Sequence, residues 1–322
     1  MSDDVIVTDR LVVRFRGKAA LDGLSLRVPR GAVMALLGEN GAGKSTCMKV
    51  LTGQINPDRG SARILGLDCW AKATALRARI GYVPDRPKLY DWMTVADIGW
   101  FAAGFFPAGF QTRYEEWVER LRLDRSKKLK DLSKGGYARV GLALALAPDP
   151  EVLLLDEPTS GLDLMTRREF LASLVEYAAE GRTILISSHS IAELERTASH
   201  AAFVKDGRVV LAATLEELRT KFRRIEMRCE GVMPDGAMLG TVFETHRTGR
   251  FVQFLVQDPD PVAVATVRDA PGVSDFEDNP VGLEEVYAAV IGKPADAAPP
   301  PRRPDSFAEA NGEASEEEGV RP

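Results

Sequence analysis

A glycine-rich stretch, GENGAGKST, occupies residues 38–46 and follows an apolar run. It contains the P-loop pattern, a glycine, four further residues, then glycine, lysine and a hydroxyl residue. Glycines let successive backbone N–H groups face one anion, and a helix that begins there adds its positive end. Lysine supplies a charge for the outer phosphates, and the serine hydroxyl suits Mg²⁺. We predict that a nucleotide binds at Gly38, Glu39, Asn40, Gly41, Ala42, Gly43, Lys44, Ser45 and Thr46.

Two adjacent carboxylates, Asp156 and Glu157, end the apolar run LLLDEP. Such a pair at a buried strand end is unfavourable without a compensating cation or a chemical task. Asp156 is suited to hold Mg²⁺ through water, beside Ser45, and Glu157 to polarise an attacking water. The alternative is a strand end with solvated acids, and the neighbouring P-loop favours the catalytic interpretation.

His189 ends a further apolar run, TILISSH, and is one of three histidines in the chain. A single histidine at a strand end is more often structural than catalytic. Taken by itself, the residue leaves both roles open.

Alternating strands and helices must position these residues. The runs AVMALLG, EVLLLDEP and RTILISSH are typical of strands buried in a parallel or mixed sheet. A helix is expected from Gly43 or Lys44 through STCMKVLTG, and SIAE at residues 190–193 predicts a capping box that opens the helix after the third run. The predicted fold class is α/β, with a mixed sheet.

The pattern divides the chain into three parts. Residues 1–218 are predicted to form the α/β domain, with a helical subdomain at about 90–146. Residues 219–292, where FVQFLV and GVSDFE predict strands and GLEEVYAAVIG predicts a helix, are predicted to form a small separate α+β domain. The tail, residues 293–322, lacks the apolar content to fold alone, and we expect it to be disordered.

Five motifs in one order give residues 5–218 a resemblance to the ATP-binding subunit of ABC transporters. They are GENGAGKST, LSKGGYARV at 132–140, LLLDEP, SGLD at 160–163 and SSH ending at His189. The resemblance implies a P-loop ABC ATPase domain that binds ATP and Mg²⁺ and hydrolyses ATP. LYDWMT, shortly after GYVPD, is similar to ABC-type multidrug exporters whose permease is a separate chain.

The resemblance also implies a head-to-tail dimer around two ATP molecules, with a second copy of this chain or with a paralogue. Ser133, at a helix N-cap, and Gly135 would meet the γ-phosphate bound by the other copy. Asp163 would cross the dimer seam, and His189 would contact the γ-phosphate and the attacking water. Phe15 lies where the family places an aromatic ring on adenine; by itself it would be assigned to the core.

Three residues depart from the pattern of the family. The signature usually reads LSGGQ, whereas Lys134 replaces its first glycine and Gly136 its glutamine. Lys134 is expected to keep an ordinary backbone conformation and to point toward solvent or phosphate. Asp85 stands where the family commonly has glutamine, and we predict that it ligates Mg²⁺, directly or through water. The alternative for Asp85 is a solvated loop acid.

Composition sets the remaining bounds. The net charge of −5 implies no basic surface and argues against a nucleic-acid partner. Three distant cysteines without a disulfide framework favour a reducing compartment, and the acidic N-terminus is not that of a signal peptide. The longest uncharged aromatic stretch, residues 98–110, is shorter than the roughly 20 residues of a spanning helix. We predict a peripheral protein at the cytoplasmic face of the cell membrane.

Aromatic residues concentrate in the predicted helical subdomain. About half of them are expected in a small core, and the rest are predicted to form an apolar groove, which in the family receives the coupling helix of the permease. They are Tyr90, Trp92, Trp100, Phe101, Phe105, Phe106, Phe110, Tyr114 and Trp117. Since no spanning segment is found, the permease must be another polypeptide.

Two other functions were weighed against a transport ATPase. A soluble ABC ATPase acting on ribosomes or DNA usually has two cassettes or a coiled-coil insertion, and basic surfaces. One cassette and an acidic balance argue against it. A binding module that no longer hydrolyses ATP is opposed by Glu157 and His189. The sequence therefore favours the ATPase of an exporter.

Overall fold

The computed structural model describes residues 3–230 and 234–292, which form three sheets and their helices. The strands are β1 (Asp4–Phe15), β2 (Lys18–Pro29), β3 (Val33–Leu37), β4 (Arg59–Ile64), β5 (Leu67–Asp68), β6 (Ile80–Val83), β7 (Val152–Asp156), β8 (Thr183–Ser188), β9 (His200–Lys205), β10 (Arg208–Thr214), β11 (Phe222–Cys229), β12 (Thr241–Thr248), β13 (Phe251–Gln257) and β14 (Val273–Pro280). The α-helices are α1 (Lys44–Leu51), α2 (Ala73–Arg77), α3 (Val95–Ala103), α4 (Phe110–Arg120), α5 (Lys134–Leu146), α6 (Leu164–Ala179), α7 (Ile191–Leu194), α8 (Leu215–Lys221), α9 (Pro261–Arg268) and α10 (Leu283–Gly292). The tail that we expected to be disordered, residues 293–322, lies outside the described residues.

The first sheet is antiparallel, with the strand order β2-β1-β4-β5. In β2, Leu24, Leu26 and Val28 are buried, while Ser25 and Arg27 between them are exposed. This alternation gives the sheet one apolar face, as is usual for antiparallel sheets. That face packs in one core with α1 and with the buried apolar side chains on one face of the central sheet.

The central sheet positions the residues that were predicted to bind and hydrolyse a nucleotide. Its strand order is β10-β9-β3-β8-β7-β6, parallel throughout except for β10, which runs antiparallel to β9. All residues of β3, β7 and β8 are buried, as expected for strands covered on both faces. Because parallel strands end at the same edge, the residues that follow them meet there. The predicted α/β fold with a mixed sheet is confirmed.

Helices α3, α4 and α5 lie between β6 and β7 in the chain, where the helical subdomain was predicted. Phe110 and Tyr114 are fully buried, and Gly99 admits the Tyr114 ring, since a Cβ on Gly99 would lie 2.1 Å from it. Four of the nine aromatic residues are exposed, and the others are buried or pack against the core. The exposed ones are Tyr90, Trp92, Trp100 and Phe105.

None of the helices in residues 3–230 and 234–292 combines the length and the apolar composition that crossing a bilayer requires.

The predicted capping box at residues 190–193 is wrong in its hydrogen bonds. Ser190 is the N-cap of α7, but its hydroxyl donates to Glu193 Oε1 at 2.7 Å and caps no backbone N–H of the described helix. Glu193 forms an ion pair with Arg167 of α6. The carboxylate therefore bonds to the Ser190 hydroxyl and to another helix instead of to the backbone N–H of Ser190.

The C-terminal elements form an antiparallel sheet with the order β12-β13-β11-β14. The last helix, α10, packs back on the central sheet: the rings of Tyr287 and Phe203 lie 5.3 Å apart, and Lys205 Nζ donates to the Ile291 carbonyl at 2.6 Å. The backbone N–H of Leu283 donates to Glu195 Oε1, next to α7, at 3.2 Å. The domain division at residue 218 stays a prediction, and α10 shares the core of the part that precedes it.

Candidate nucleotide-binding and hydrolytic site

The glycine-rich loop links β3 to α1 and packs closely against the backbone of neighbouring segments. Gly43, the N-cap of α1, has a φ of 108°, and a Cβ there would lie 2.6 Å from the Ala20 carbonyl oxygen. A Cβ on Gly38 would lie 2.5 Å from the Val204 carbonyl oxygen. Only glycine fits both positions without movement of the backbone. The loop therefore presents backbone rather than side chains at the N-terminus of α1, which suits an anion.

Lys44 is the most enclosed charge of the loop, with 5% of its side chain exposed. Its Nζ donates to the Gly38 carbonyl at 2.6 Å and to the Glu39 carbonyl at 3.3 Å. It also lies 3.2 Å from Glu157 Oε1. The ammonium is thus held between the loop and the end of β7.

Asp156 is buried at the end of β7 and is joined to α1 by a hydroxyl. Its Oδ1 accepts hydrogen bonds from Ser45 Oγ at 3.1 Å and from Ser187 Oγ at 2.7 Å. Burial raises the pKa of Asp156. The hydrogen bonds from Ser187 and Ser45 partly offset this rise, and the negative charges of Asp85 and Glu157 add to it. Keeping the Asp156 carboxylate ionised therefore costs free energy, and a neighbouring cation would reduce that cost.

These oxygen donors suit Mg²⁺. Within residues 3–230 and 234–292 no group of three or more His, Cys, Asp or Glu side chains forms a complete metal cage. Mg²⁺ is commonly held by one or two carboxylates together with phosphates and water. Ser45 and Asp156, beside a phosphate-binding loop, fit that mode of binding.

Glu157 and His189 are in direct contact. Glu157 Oε2 lies 2.7 Å from His189 Nδ1, while Oε1 faces Lys44 without the geometry of a hydrogen bond. The backbone of Glu157 has a φ of +48°, and its N–H donates to Ser187 Oγ at 3.0 Å. A left-handed conformation is strained for a residue other than glycine. In this backbone conformation the Glu157 carboxylate lies between Lys44 and His189.

A second group of predicted site residues lies together, on α5 and α6. Ser133 is the N-cap of α5, and its Oγ accepts from the Gly136 N–H at 3.1 Å. Gly135 packs so closely on Thr166 that a Cβ would lie 2.5 Å from Thr166 Cγ2. Asp163 caps α6 by accepting from the Thr166 N–H at 3.0 Å, and this bond is the first cause of its lowered pKa. Among the described hydrogen bonds and ion pairs, none joins this group to residues 38–46.

The remaining predicted residues lie at the margins of the site. Phe15 ends β1 with half of its surface exposed, so it is not a core residue. Asp85 follows β6, is exposed, and lies 3.7 Å from Arg86 Nε. Lys134 has the expected ordinary backbone, in the first turn of α5, and its side chain is exposed.

Ser187 is a site residue that was not predicted from the sequence. The residue is fully buried and pairs with Asp156 in the register of β7 and β8. Its hydroxyl donates to Asp156 and accepts from the Glu157 N–H, so it orients both acids. Its position two residues before His189, at the end of an apolar strand, was the available signal.

Comparison with known proteins identifies the family. A family model described as "ABC transporter" matches residues 21–160, and one described as "AAA domain, putative AbiEii toxin, Type IV TA system" matches residues 131–195. The chain is 32% identical over 293 residues to Nod factor export ATP-binding protein I of Burkholderia lata, covering 87% of this chain and 94% of that protein. This chain belongs to the ATP-binding proteins of ABC transporters.

Other ABC transporter ATP-binding proteins match over shorter lengths. An uncharacterized one of Nostoc sp. is 37% identical over 206 residues, and this chain spans only 61% of its length. Daunorubicin resistance ATP-binding protein DrrA3 of Streptomyces coeruleorubidus is 35% identical over 226 residues, covering 69% of this chain and 72% of that protein. In each case the match covers 62% or more of this chain.

Solved structures agree with the fold of an ABC ATPase cassette. The structure of cbiO1 from Clostridium perfringens, part of the ABC transporter complex cbiONQ, superposes with a TM-score of 0.61 and 31% sequence identity. The superposition covers 67% of this chain and 91% of that one.

Proposed function

We propose that this chain hydrolyses Mg²⁺-ATP as an ATPase subunit of an ABC exporter whose permease is a separate polypeptide. The observation that carries the proposal is a chain of contacts at one sheet edge. Lys44 of the phosphate-binding loop lies 3.2 Å from Glu157 Oε1, and Glu157 Oε2 lies 2.7 Å from His189 Nδ1. A phosphate cradle, a carboxylate base and an imidazole are thus adjacent, an arrangement suited to hydrolysis of a phosphoanhydride.

Each residue of the edge has a role in binding. The backbone N–H groups of residues 38–46 and Lys44 would hold the phosphates, and Phe15 would stack on the adenine ring. Ser45, Asp156 and Asp85 would hold Mg²⁺, which neutralises charge on the phosphates when bound. Burial of Asp156, with its raised pKa, supports a cation at this position.

The contacts also suggest how binding prepares the base. Lys44 neutralises Glu157 in the described structure, and phosphates compete for the same ammonium. Once Lys44 bonds to phosphate, Glu157 Oε1 is free to accept a proton from the attacking water. His189 holds the other carboxylate oxygen, Oε2, and so fixes the orientation of the base.

A second ATPase subunit, either this chain or a paralogue, would complete the site. Ser133 and Gly135 lie at the N-terminus of α5, where a partial positive charge and free N–H groups favour a phosphate. Asp163 caps α6 directly beside them. These residues are therefore proposed to act on the nucleotide held by the partner subunit.

The names of relatives support the direction of transport. One relative is named for Nod factor export and another for daunorubicin resistance. The exposed aromatic residues of the helical subdomain, Tyr90, Trp92, Trp100 and Phe105, are proposed to contact the permease. The protein would then sit at the cytoplasmic face of the membrane, held by that contact, with no nucleic acid as partner.

Membrane recruitment should depend on the permease and on the exposed tryptophans. We expect the chain expressed alone to fractionate with soluble proteins, and to move to membranes when it is co-expressed with its permease. The double variant Trp92→Ser/Trp100→Ser should lose recruitment and keep ATP hydrolysis, whereas Val262→Ser, which changes another exposed apolar residue, should keep both. Firm membrane binding of the chain alone would contradict the proposal.

The affinity for ATP should depend on metal through Asp85. Its carboxylate offers an oxygen to Mg²⁺, but without metal its charge repels the triphosphate. In titrations with EDTA, Asp85→Gln should bind ATP about fivefold better than wild type, and with Mg²⁺ it should lose part of the metal enhancement. Asp269→Asn, at an exposed acid of the C-terminal part, is the control. Equal metal dependence in wild type and Asp85→Gln would make Asp85 a solvated loop acid.

A further inference from the structure

A partly buried polar cluster lies beside the Glu157–His189 pair and has no role in the proposed chemistry. At its centre are Glu193 of α7 and Arg167 of α6, whose side chains are 15% and 27% exposed. Thr159 and Ser190 add hydroxyl groups, and Leu162 adds a carbonyl oxygen. The cluster contains one acid and one base, so its charges balance internally.

The Glu193 carboxylate receives bonds from three directions. Its Oε1 pairs with Arg167 Nη1 and accepts from Ser190 Oγ at 2.7 Å. Its Oε2 accepts from Thr159 Oγ1 at 3.4 Å. Arg167 Nη2 in turn donates to the Leu162 carbonyl at 3.1 Å, while the buried Arg167 Nε has no hydrogen-bond partner.

These contacts tie together the two loops that carry the catalytic pair. Thr159 and Leu162 belong to the loop that follows Glu157, and Ser190 is the residue after His189. The loops follow neighbouring strands, β7 and β8. Across them, Glu157 Oε2 lies 2.7 Å from His189 Nδ1. The ion pair is therefore bonded to both loops, through Thr159 and Leu162 on one and Ser190 on the other.

We propose that Glu193 and Arg167 are positioning residues that set the separation of Glu157 and His189 during ATP hydrolysis. The inference rests on the proposed hydrolytic function. Loss of the Glu193 charge would weaken its bonds to Ser190, Thr159 and the guanidinium together, and each loop could then shift. Displacement of a reacting group by about 1 Å can cost about 100-fold in rate, while nucleotide binding at the P-loop is unaffected.

A purely structural ion pair would behave differently. Partly exposed ion pairs contribute little to stability, and their loss alters turnover only through the folded fraction. Arg182 and Asp149 offer a matched control. They form an ion pair of 2.6 Å between the segments that lead into β8 and β7, at the opposite edge of the same two strands.

The test compares Glu193→Gln and Arg167→Met with Asp149→Asn and Arg182→Met in the full chain. We expect kcat for ATP to fall about 10- to 100-fold in the first two variants, with KM and the Kd of Mg²⁺-ATP within about twofold of wild type. The double variant Glu193→Gln/Arg167→Met should be no slower than the worse single variant, because both remove one clamp. The control variants should keep the wild-type kcat.

Ser190→Ala provides a milder test that leaves the ion pair in place. It removes only the hydroxyl that joins the His189 loop to Glu193, and it should lower kcat by about three- to tenfold in single-turnover hydrolysis without changing KM. An active wild type whose Glu193→Gln and Ser190→Ala variants keep kcat within twofold would overturn the inference alone. So would losses of kcat that follow only the folded fraction. A wild type without Mg²⁺-dependent hydrolysis would overturn the proposed function, and this inference with it.

Discussion

Replacing Glu157 by glutamine is expected to lower steady-state ATP hydrolysis at least about 100-fold, since a positioned base contributes that much. Glutamine keeps the shape of the side chain and can still contact His189, but its amide does not accept the proton. It also removes a negative charge that faces the phosphates. ATP should therefore still bind, and the protein should accumulate as a dimer with two trapped nucleotides. Phosphate release and light scattering with ATP and Mg²⁺ measure the two effects.

Glu151→Gln is the matched control for this prediction. Glu151 lies just before the other end of β7, where it pairs with Arg79 at 2.6 Å, far along the strand from the P-loop. Its loss should leave turnover near the wild-type rate, and the variant should not accumulate as an ATP-dependent dimer. Wild-type turnover in Glu157→Gln would remove Glu157 from the catalytic role.

Replacing Lys44 by methionine is expected to weaken ATP binding about 10- to 100-fold, the range for loss of hydrogen bonds to charged groups. The same change should destabilise the fold, because it leaves the Glu157 carboxylate, 12% exposed, without its cation. That cost should be about 1–3 kcal/mol. Calorimetric titration with ATP and thermal unfolding measure the two effects separately.

The double variant Lys44→Met/Glu157→Gln separates stability from binding. Removing both charges should recover most of the lost stability, since no unpaired carboxylate remains, but the ATP affinity should stay low. Lys49→Met, at an exposed lysine of the same helix, should change neither quantity. A double variant no more stable than Lys44→Met would show that the unpaired Glu157 carboxylate is not what destabilises the fold.

The residues that end the parallel strands could be predicted from the sequence. Each of β3, β7 and β8 has an apolar centre and leads into a loop with glycine or polar residues, and strands of one parallel sheet bring such loops to one edge. Lys44 was assigned to the site from the P-loop pattern, and Asp156 and Glu157 from two adjacent acids at a strand end. His189 was assigned only through the resemblance to ABC ATPases, and the parallel sheet explains why it meets the other residues at one edge.

The surrounding polar contacts could not be predicted in the same way. Arg167 and Glu193 are far apart in the sequence and meet only because α6 and α7 pack beside each other. The sequence pattern at residues 190–193 favours a local cap, but a guanidinium from another helix competes for the same carboxylate. Local rules describe a side chain and its neighbours in the chain, and here the partner comes from the tertiary fold.

The packing of α10 has a consequence for how the chain is made. The central sheet already joins distant segments, with Val33 beside Ile184, and its core closes only when Tyr287 reaches Phe203. A ribosome must therefore synthesise nearly all of the described chain before the central sheet is fully buried. Until then the nascent chain exposes apolar surface, and such surface promotes aggregation. Chaperone protection during synthesis would matter more for this protein than for a cassette whose core is complete before its last helix.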